Sequence, residues 1–210
     1  GGKRKTKNGY NAFEWSLHYP VSPYNITFNI GVYTQFQIAH KYEQDSVAMD
    51  FYVLPYHLNK AKAHFKQVDT IVSVLEKFFG KYPFPKDGYA LVESHYPGME
   101  HQSAIAYGNG FKNGYLNTDF IILHETAHEW WGNHIAVDDM ADMWIQEAFA
   151  TYSEWLYYEH LYGKDYVVPY AAYQRKMIEN KSPLLGLREV NYPSLNNIDI
   201  YYKGAWMLHT

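Results

Sequence analysis

His124-Glu125-Thr126-Ala127-His128 sets two imidazoles four residues apart. On an α-helix that spacing puts both on one face, one turn from each other, where they can share a metal ion. Glu125 projects near the same ion without being a ligand, the position of a general base acting on water that the metal activates. Glu147 follows after eighteen intervening residues, within Trp144-Ile145-Gln146-Glu147-Ala148-Phe149-Ala150, which reads as the opening of another helix. It is the candidate third ligand. Two histidines and one carboxylate leave a fourth position open, the pattern of a catalytic rather than a structural zinc. The chain has no cysteine, so a zinc ion must be held by His, Asp or Glu. The bland alternative is a core helix whose two histidines are merely hydrogen-bonded or exposed. The correctly spaced glutamate argues against it.

The elements that must position these residues are legible from periodicity and punctuation. Ile26–Ile30 alternates, Tyr33–Ile38 is aromatic and β-branched, and Val47–Leu54 reads as a further strand, with turn signals between them. After Pro55 the spacing becomes helical, from Leu58 to Phe79, with Gly80 as the stop. Tyr89–Glu93 and Ser103–Tyr107 read as short strands, and Gly108–Gly114 as a loop. The metal helix is expected from Thr118 or Asp119 to Trp131, ended by Gly132-Asn133. The Glu147 helix should run to about Tyr162, another should cover Val167–Asn180, and a last one should begin near Tyr202. Residues 182–198 read as irregular.

Composition bounds the rest. At 210 residues with 47% hydrophobic content, the chain can bury a sizeable core. A net charge of −4 with dispersed signs points to neither nucleic acid nor an anionic membrane. The basic run Lys3-Arg4-Lys5-Thr6-Lys7 reads as a solvated, loose end. The 22 tyrosines are mostly core and half-buried filler, and suit a pocket for apolar side chains. No apolar run is long enough to span a bilayer. The first residue is Gly and there is no signal peptide, so the sequence is expected to be a segment of a longer protein. Cytosolic and extracytoplasmic locations are both compatible.

Four stretches in order resemble the zinc aminopeptidases of the aminopeptidase N type, gluzincins that include the leukotriene-hydrolase branch. They are Gly98-Met99-Glu100-His101, His124–Asn133 (HETAHEWWGN), Trp144–Tyr152 (WIQEAFATY) and Tyr201-Tyr202-Lys203-Gly204-Ala205. The resemblance implies an α+β fold. Residues 1–50 would be the last strands of a β-rich, saddle-like domain. Residues 51–210 would be a thermolysin-like zincin catalytic domain, mainly helical with a small sheet, truncated at its C-terminal end. Flanking domains of the same protein would be missing, so the isolated segment should bind zinc with little turnover.

The same resemblance implies one Zn2+ per chain on His124, His128 and Glu147, with Glu125 as general base. It implies peptide substrates with a free N-terminus. Tyr201 would stabilise the oxyanion, with Tyr202 as its rival. Glu100 would hold the substrate's α-ammonium, and Gly98 and Met99 would line the path of its backbone. His101 stands where the family usually has Asn, and is expected to be a harmless variant with a modest bearing on the first subsite. Asp142 and Asn133 are candidates for orienting the ligand histidines. His95 and His134 read as structural or exposed. A zinc endopeptidase and a non-catalytic peptide-binding relative are the alternatives.

Overall fold

The computed structural model describes residues 2–190 and 197–210. The irregular segment expected over 182–198 therefore lies partly outside the described residues. Two strands open the chain, β1 (Gly2–Lys7) and β2 (Tyr10–Trp15), forming an antiparallel hairpin. The basic run is thus a strand rather than a loose end, and Lys5 pairs with Glu14 across the ladder at 2.7 Å.

A five-stranded sheet carries the fold. Its strands are β3 (Thr34–Tyr42), β4 (Asp45–Val53), β5 (Tyr89–Glu93), β6 (Gly98–Met99) and β7 (Ile105–Tyr107). Their order is β3-β4-β5-β7-β6, with β4, β5 and β7 parallel and both outer pairs antiparallel. Every residue of β5 is buried, as expected of a central strand covered on both faces. β4 crosses residue 50 without a break, so the sheet is continuous through the division expected there. The alternating segment Ile26–Ile30 is not a strand. It has no ladder partner among the described residues, and Ile26, Phe28 and Ile30 are exposed.

The helical stretch after Pro55 is two helices, α1 (Leu58–His64) and α2 (Gln67–Phe79), with the chain turning at Phe65-Lys66. Phe65 is buried against Phe36, Phe51 and Phe111, so the turn is bought by core packing. Gly80, at φ +85°, ends α2 in a conformation that suits glycine.

Four further helices follow: α3 (Phe120–Ala127), α4 (Met143–Tyr162), α5 (Lys164–Arg175) and α6 (Asp199–His209). α3 is shorter than its pattern suggested, since the backbone tightens into turns from His128 onward. Residues Ile121–Ala127 are all buried, so α3 is a core helix. α6 lies tightly on α4. A Cβ at Gly204 would stand 2.5 Å from the Ala148 methyl, so that approach requires glycine. No helix among the described residues is long and apolar enough to cross a membrane.

Candidate metal centre and active site

Asp119 fixes the start of α3. It is fully buried, and its Oδ1 accepts the Ile121 N–H at 3.1 Å and Asn109 Nδ2 at 2.8 Å. Its Oδ2 accepts the Tyr107 hydroxyl at 2.6 Å and meets His64 Nε2 at 2.8 Å. The cap thus ties α3 to β7 and α1 and sets the helix's rotation. That rotation aims His124, Glu125 and His128 at a cavity of about 470 Å3. Gly98, Met99 and Glu100 line it from the sheet edge, Glu147 from α4, and Tyr201 and Tyr202 from α6. The cavity brings together the eight residues expected to bind metal, react or contact substrate, but not Asp142, Asn133 or His101.

His124 Nε2, His128 Nε2 and Glu147 Oε2 form a triangle with sides of 3.2, 3.3 and 3.4 Å. A tetrahedral zinc with ligands at about 2.0–2.2 Å would hold them about 3.3–3.6 Å apart. The tautomers agree. His124 Nδ1 donates to Glu154 Oε1 at 2.9 Å, and His128 Nδ1 donates to the Trp131 carbonyl at 2.9 Å. In the neutral rings each Nε2 is then left with a bare lone pair, and the two lone pairs face each other. That contact repels unless a cation is shared between them. The local field favours positive charge as well. Burial by itself lowers His128, but Glu147 and Glu100 outweigh it and raise its pKa to about 9. Burial raises Glu147 too, yet the histidines overcome it and hold the carboxyl at about 2. The donor set fits zinc.

Glu125 is 7% exposed and has no hydrogen-bond partner among the described residues. Burial raises its carboxyl to about 7, against the pull of His124. Gly98 makes room for it, because a Cβ there would lie 2.5 Å from Glu125 Oε1 and 2.8 Å from the Ile121 Cγ2 methyl. Glu100 is buried and receives a long contact from Gln146 Nε2 at 3.4 Å. Carboxylate oxygens of Glu100 and Glu125 and a ring nitrogen of His128 all lie within 4.8 Å of one another.

The Tyr201 ring is 6.0 Å from the His124 ring. Burial and then Glu147 raise the pKa of its phenol, so it stays protonated. Burial, followed by Glu154 and Tyr173, raises the Tyr202 phenol.

The expected orienting residues are replaced by others. Asp142 pairs with Arg188 at 3.1 Å, and the Asn133 side chain binds the Glu100 carbonyl at 3.0 Å, so neither side chain holds a ligand imidazole, and Asn133 meets His128 only through its backbone N–H, which donates to the His128 carbonyl at 3.0 Å. Glu154 does so from one face of α4, seven residues after Glu147. That i, i+7 spacing was the available signal. Tyr24, from the start of the chain, also lines the cavity and carried no motif. His101 is buried, does not line the cavity, and has a pKa lowered by burial, so it is a neutral ring. His95 and His134 are exposed.

A helix-borne pair of histidines, a carboxylate from a second helix and a buried glutamate beside them make up a candidate metal centre with a titratable group at its edge. The pattern of the "Peptidase family M1 domain" matches residues 56–210, and the chain belongs to that family. Relatives include mouse (Mus musculus) endoplasmic reticulum aminopeptidase 1, 26% identical over 147 residues, covering 65% of this chain and 16% of that protein. Aminopeptidase N of Streptomyces lividans is 28% identical over 160 residues, covering 69% of this chain and 18% of that protein. Among solved structures, an M1 zinc metallopeptidase from Deinococcus radiodurans superposes with a TM-score of 0.80 at 22% identity, covering 99% of this chain and 46% of that one. The chain thus spans under a fifth of the length of these two curated relatives and about half of that structure.

Proposed function

We propose that the chain carries the active site of a zinc aminopeptidase that removes the first residue from peptides with a free N-terminus. The observation that carries this reading is the spacing of Glu100, Glu125 and His128 within 4.8 Å. An α-ammonium held by Glu100 is two bonds, about 2.5 Å, from the carbonyl carbon of its own residue. Anchored there, a peptide has room for one residue before its amide reaches the donor triangle. A fixed carboxylate at that distance rewards a charged amine and turns a peptidase into an exopeptidase.

His124, His128 and Glu147 would hold the zinc. When bound, zinc supplies Lewis acidity, polarising a carbonyl and lowering the pKa of water. Glu125 takes the proton of the attacking water and passes it to the leaving amine, and its raised pKa suits both transfers. Tyr201 donates its phenolic hydrogen to the oxygen that gains charge as the carbonyl becomes tetrahedral. Gly98 and Met99 lie on the edge strand β6, where an extended substrate backbone can pair. An M1 zinc metallopeptidase mutant from D. radiodurans has been crystallised with a Tyr-Ser-Ala substrate. We assign residues 51–210 to the thermolysin-like catalytic domain and 1–50 to the close of a β-rich one, following a family match that begins at residue 56.

The test is release of amino acid from unblocked and N-acetylated peptides, with and without chelator, for the parent and Glu125→Gln. Expected is chelator-sensitive cleavage of unblocked peptides alone, falling about 100-fold or more in the variant while zinc content is retained. Equal cleavage of blocked peptides would make the site an endopeptidase.

A further inference from the structure

The segment Pro20–Asn25 precedes the family match, yet it is fastened beside Glu100. The Pro20 carbonyl accepts Gln102 Nε2 at 3.1 Å. Asn25 Nδ2 donates to Asn133 Oδ1 at 2.5 Å, and Asn133 Nδ2 donates to the Glu100 carbonyl at 3.0 Å. Asn25 and Asn133 are both buried. Pro23 opens a single 3-10 turn, capped by the Ser22 hydroxyl accepting the Tyr24 N–H at 3.3 Å. Tyr24 therefore has a fixed direction, and it points into the cavity. Burial raises the pKa of its phenol most, and then the neighbouring carboxylates Glu100 and Glu147.

We propose that Tyr24 is a substrate-contacting residue of the first subsite, walling the space before Glu100 and sharing the peptide's α-ammonium with it. The proposal rests on the aminopeptidase reading above and deepens it. An ammonium brings three donors, and a phenol oxygen can accept one while its own hydrogen is given elsewhere. The Glu100 carboxylate takes the long Gln146 contact and has the Tyr24 phenol as a hydrogen-bonding neighbour, which leaves it lone pairs for an ammonium. No Lys or Arg lines the cavity among the described residues, whereas Glu100, Glu125, Glu147 and Glu154 do. The lining as a whole favours a cation. Tyr24 closes it with a neutral acceptor instead of a fifth carboxylate, which would add repulsion.

The experiment measures binding of Phe-Ala-Ala and N-acetyl-Phe-Ala-Ala by calorimetry on a Glu125→Gln background, where cleavage is slowed about 100-fold or more. Tyr24→Phe, Tyr24→Ala and Glu100→Gln are compared, with zinc content and melting temperature recorded for each. Expected is a loss of about 5-fold for the free peptide in Tyr24→Phe and about 10-fold or more in Tyr24→Ala, with binding of the acetylated peptide unchanged in Tyr24→Phe. Free-peptide binding within twofold of the parent in Tyr24→Phe and Tyr24→Ala, while Glu100→Gln weakens it, overturns the role of Tyr24 and leaves the aminopeptidase reading intact. No effect of Glu100→Gln overturns both. Should Tyr24→Ala fail to fold, the isosteric Tyr24→Phe decides alone.

Discussion

Replacing Glu154 separates metal affinity from stability in a way the structure dictates. Its Oε1 accepts His124 Nδ1 at 2.9 Å, while Oε2 accepts the Tyr170 hydroxyl and Gln174 Nε2, the latter at 3.2 Å. Glu154→Ala removes the acceptor of three buried donors. Each costs about 1–3 kcal/mol if left dry, and water entering the space recovers part of it, so a loss of about 2–4 kcal/mol is expected. That water can still accept from His124 Nδ1, so the tautomer survives and zinc affinity falls about 10-fold. Glu154→Gln behaves differently. Its one oxygen will serve Tyr170 and Gln174, which bring two donors, and its NH2 will then face His124 Nδ1. The histidine must accept there and carry its proton on Nε2, the atom that should bind the metal. Zinc affinity should fall about 100-fold or more, near 2.8 kcal/mol, with stability reduced by only about 1 kcal/mol. Competition with a chelating dye gives the first quantity and urea unfolding of the metal-free chain the second. Weaker zinc binding by Glu154→Ala than by Glu154→Gln would refute the tautomer reasoning.

Gly98→Ala should displace the Glu125 carboxylate that now lies where a Cβ would be. Turnover is expected to fall at least about 10-fold with zinc content unchanged, as read by steady-state kinetics and metal analysis. Asp119→Ala strands four donors and uncaps α3. It should cost about 3 kcal/mol or more, and a loss below about 1 kcal/mol in urea melts would show that the cap does not set the helix. Buried His40 meets Glu76 at 2.8 Å and Asp69 at 2.7 Å, and the Glu76 contact chiefly raises its pKa. Its contribution is therefore complete below the unfolded value of about 6.5 and is lost as pH rises through the higher folded value. The stability gap between parent and His40→Gln should be widest at pH 5.5 and shrink by pH 8.5. A gap that widens with pH would contradict this.

Much of the site could be read from the sequence because its chemistry is periodic. His124, Glu125 and His128 lie within one helical turn or so, and Glu147 opens the next long helix. The residues that complete the site answer to no local rule. Tyr24 reaches the cavity through Asn25 and Asn133, which are 108 residues apart in the chain. Glu154 was legible only in hindsight, as the residue two turns past Glu147. In the fold, β5 matched its expected limits, since a short buried apolar run between breakers has few alternatives. Ile26–Ile30 misled for the opposite reason. Alternation signals a strand, but a strand needs a neighbour to bond.

The contact between Gly204 and Ala148 also orders events in time. A chain made from its N-terminus completes His124, His128 and Glu147 while Tyr201, fifty-four positions further on, is still to come. Until α6 emerges and seats its glycine on α4, a nascent chain can gather its metal donors without the phenol that would serve the tetrahedral carbonyl. On the roles proposed above, the growing chain holds its metal donors before it holds the group that would serve the reacting carbonyl.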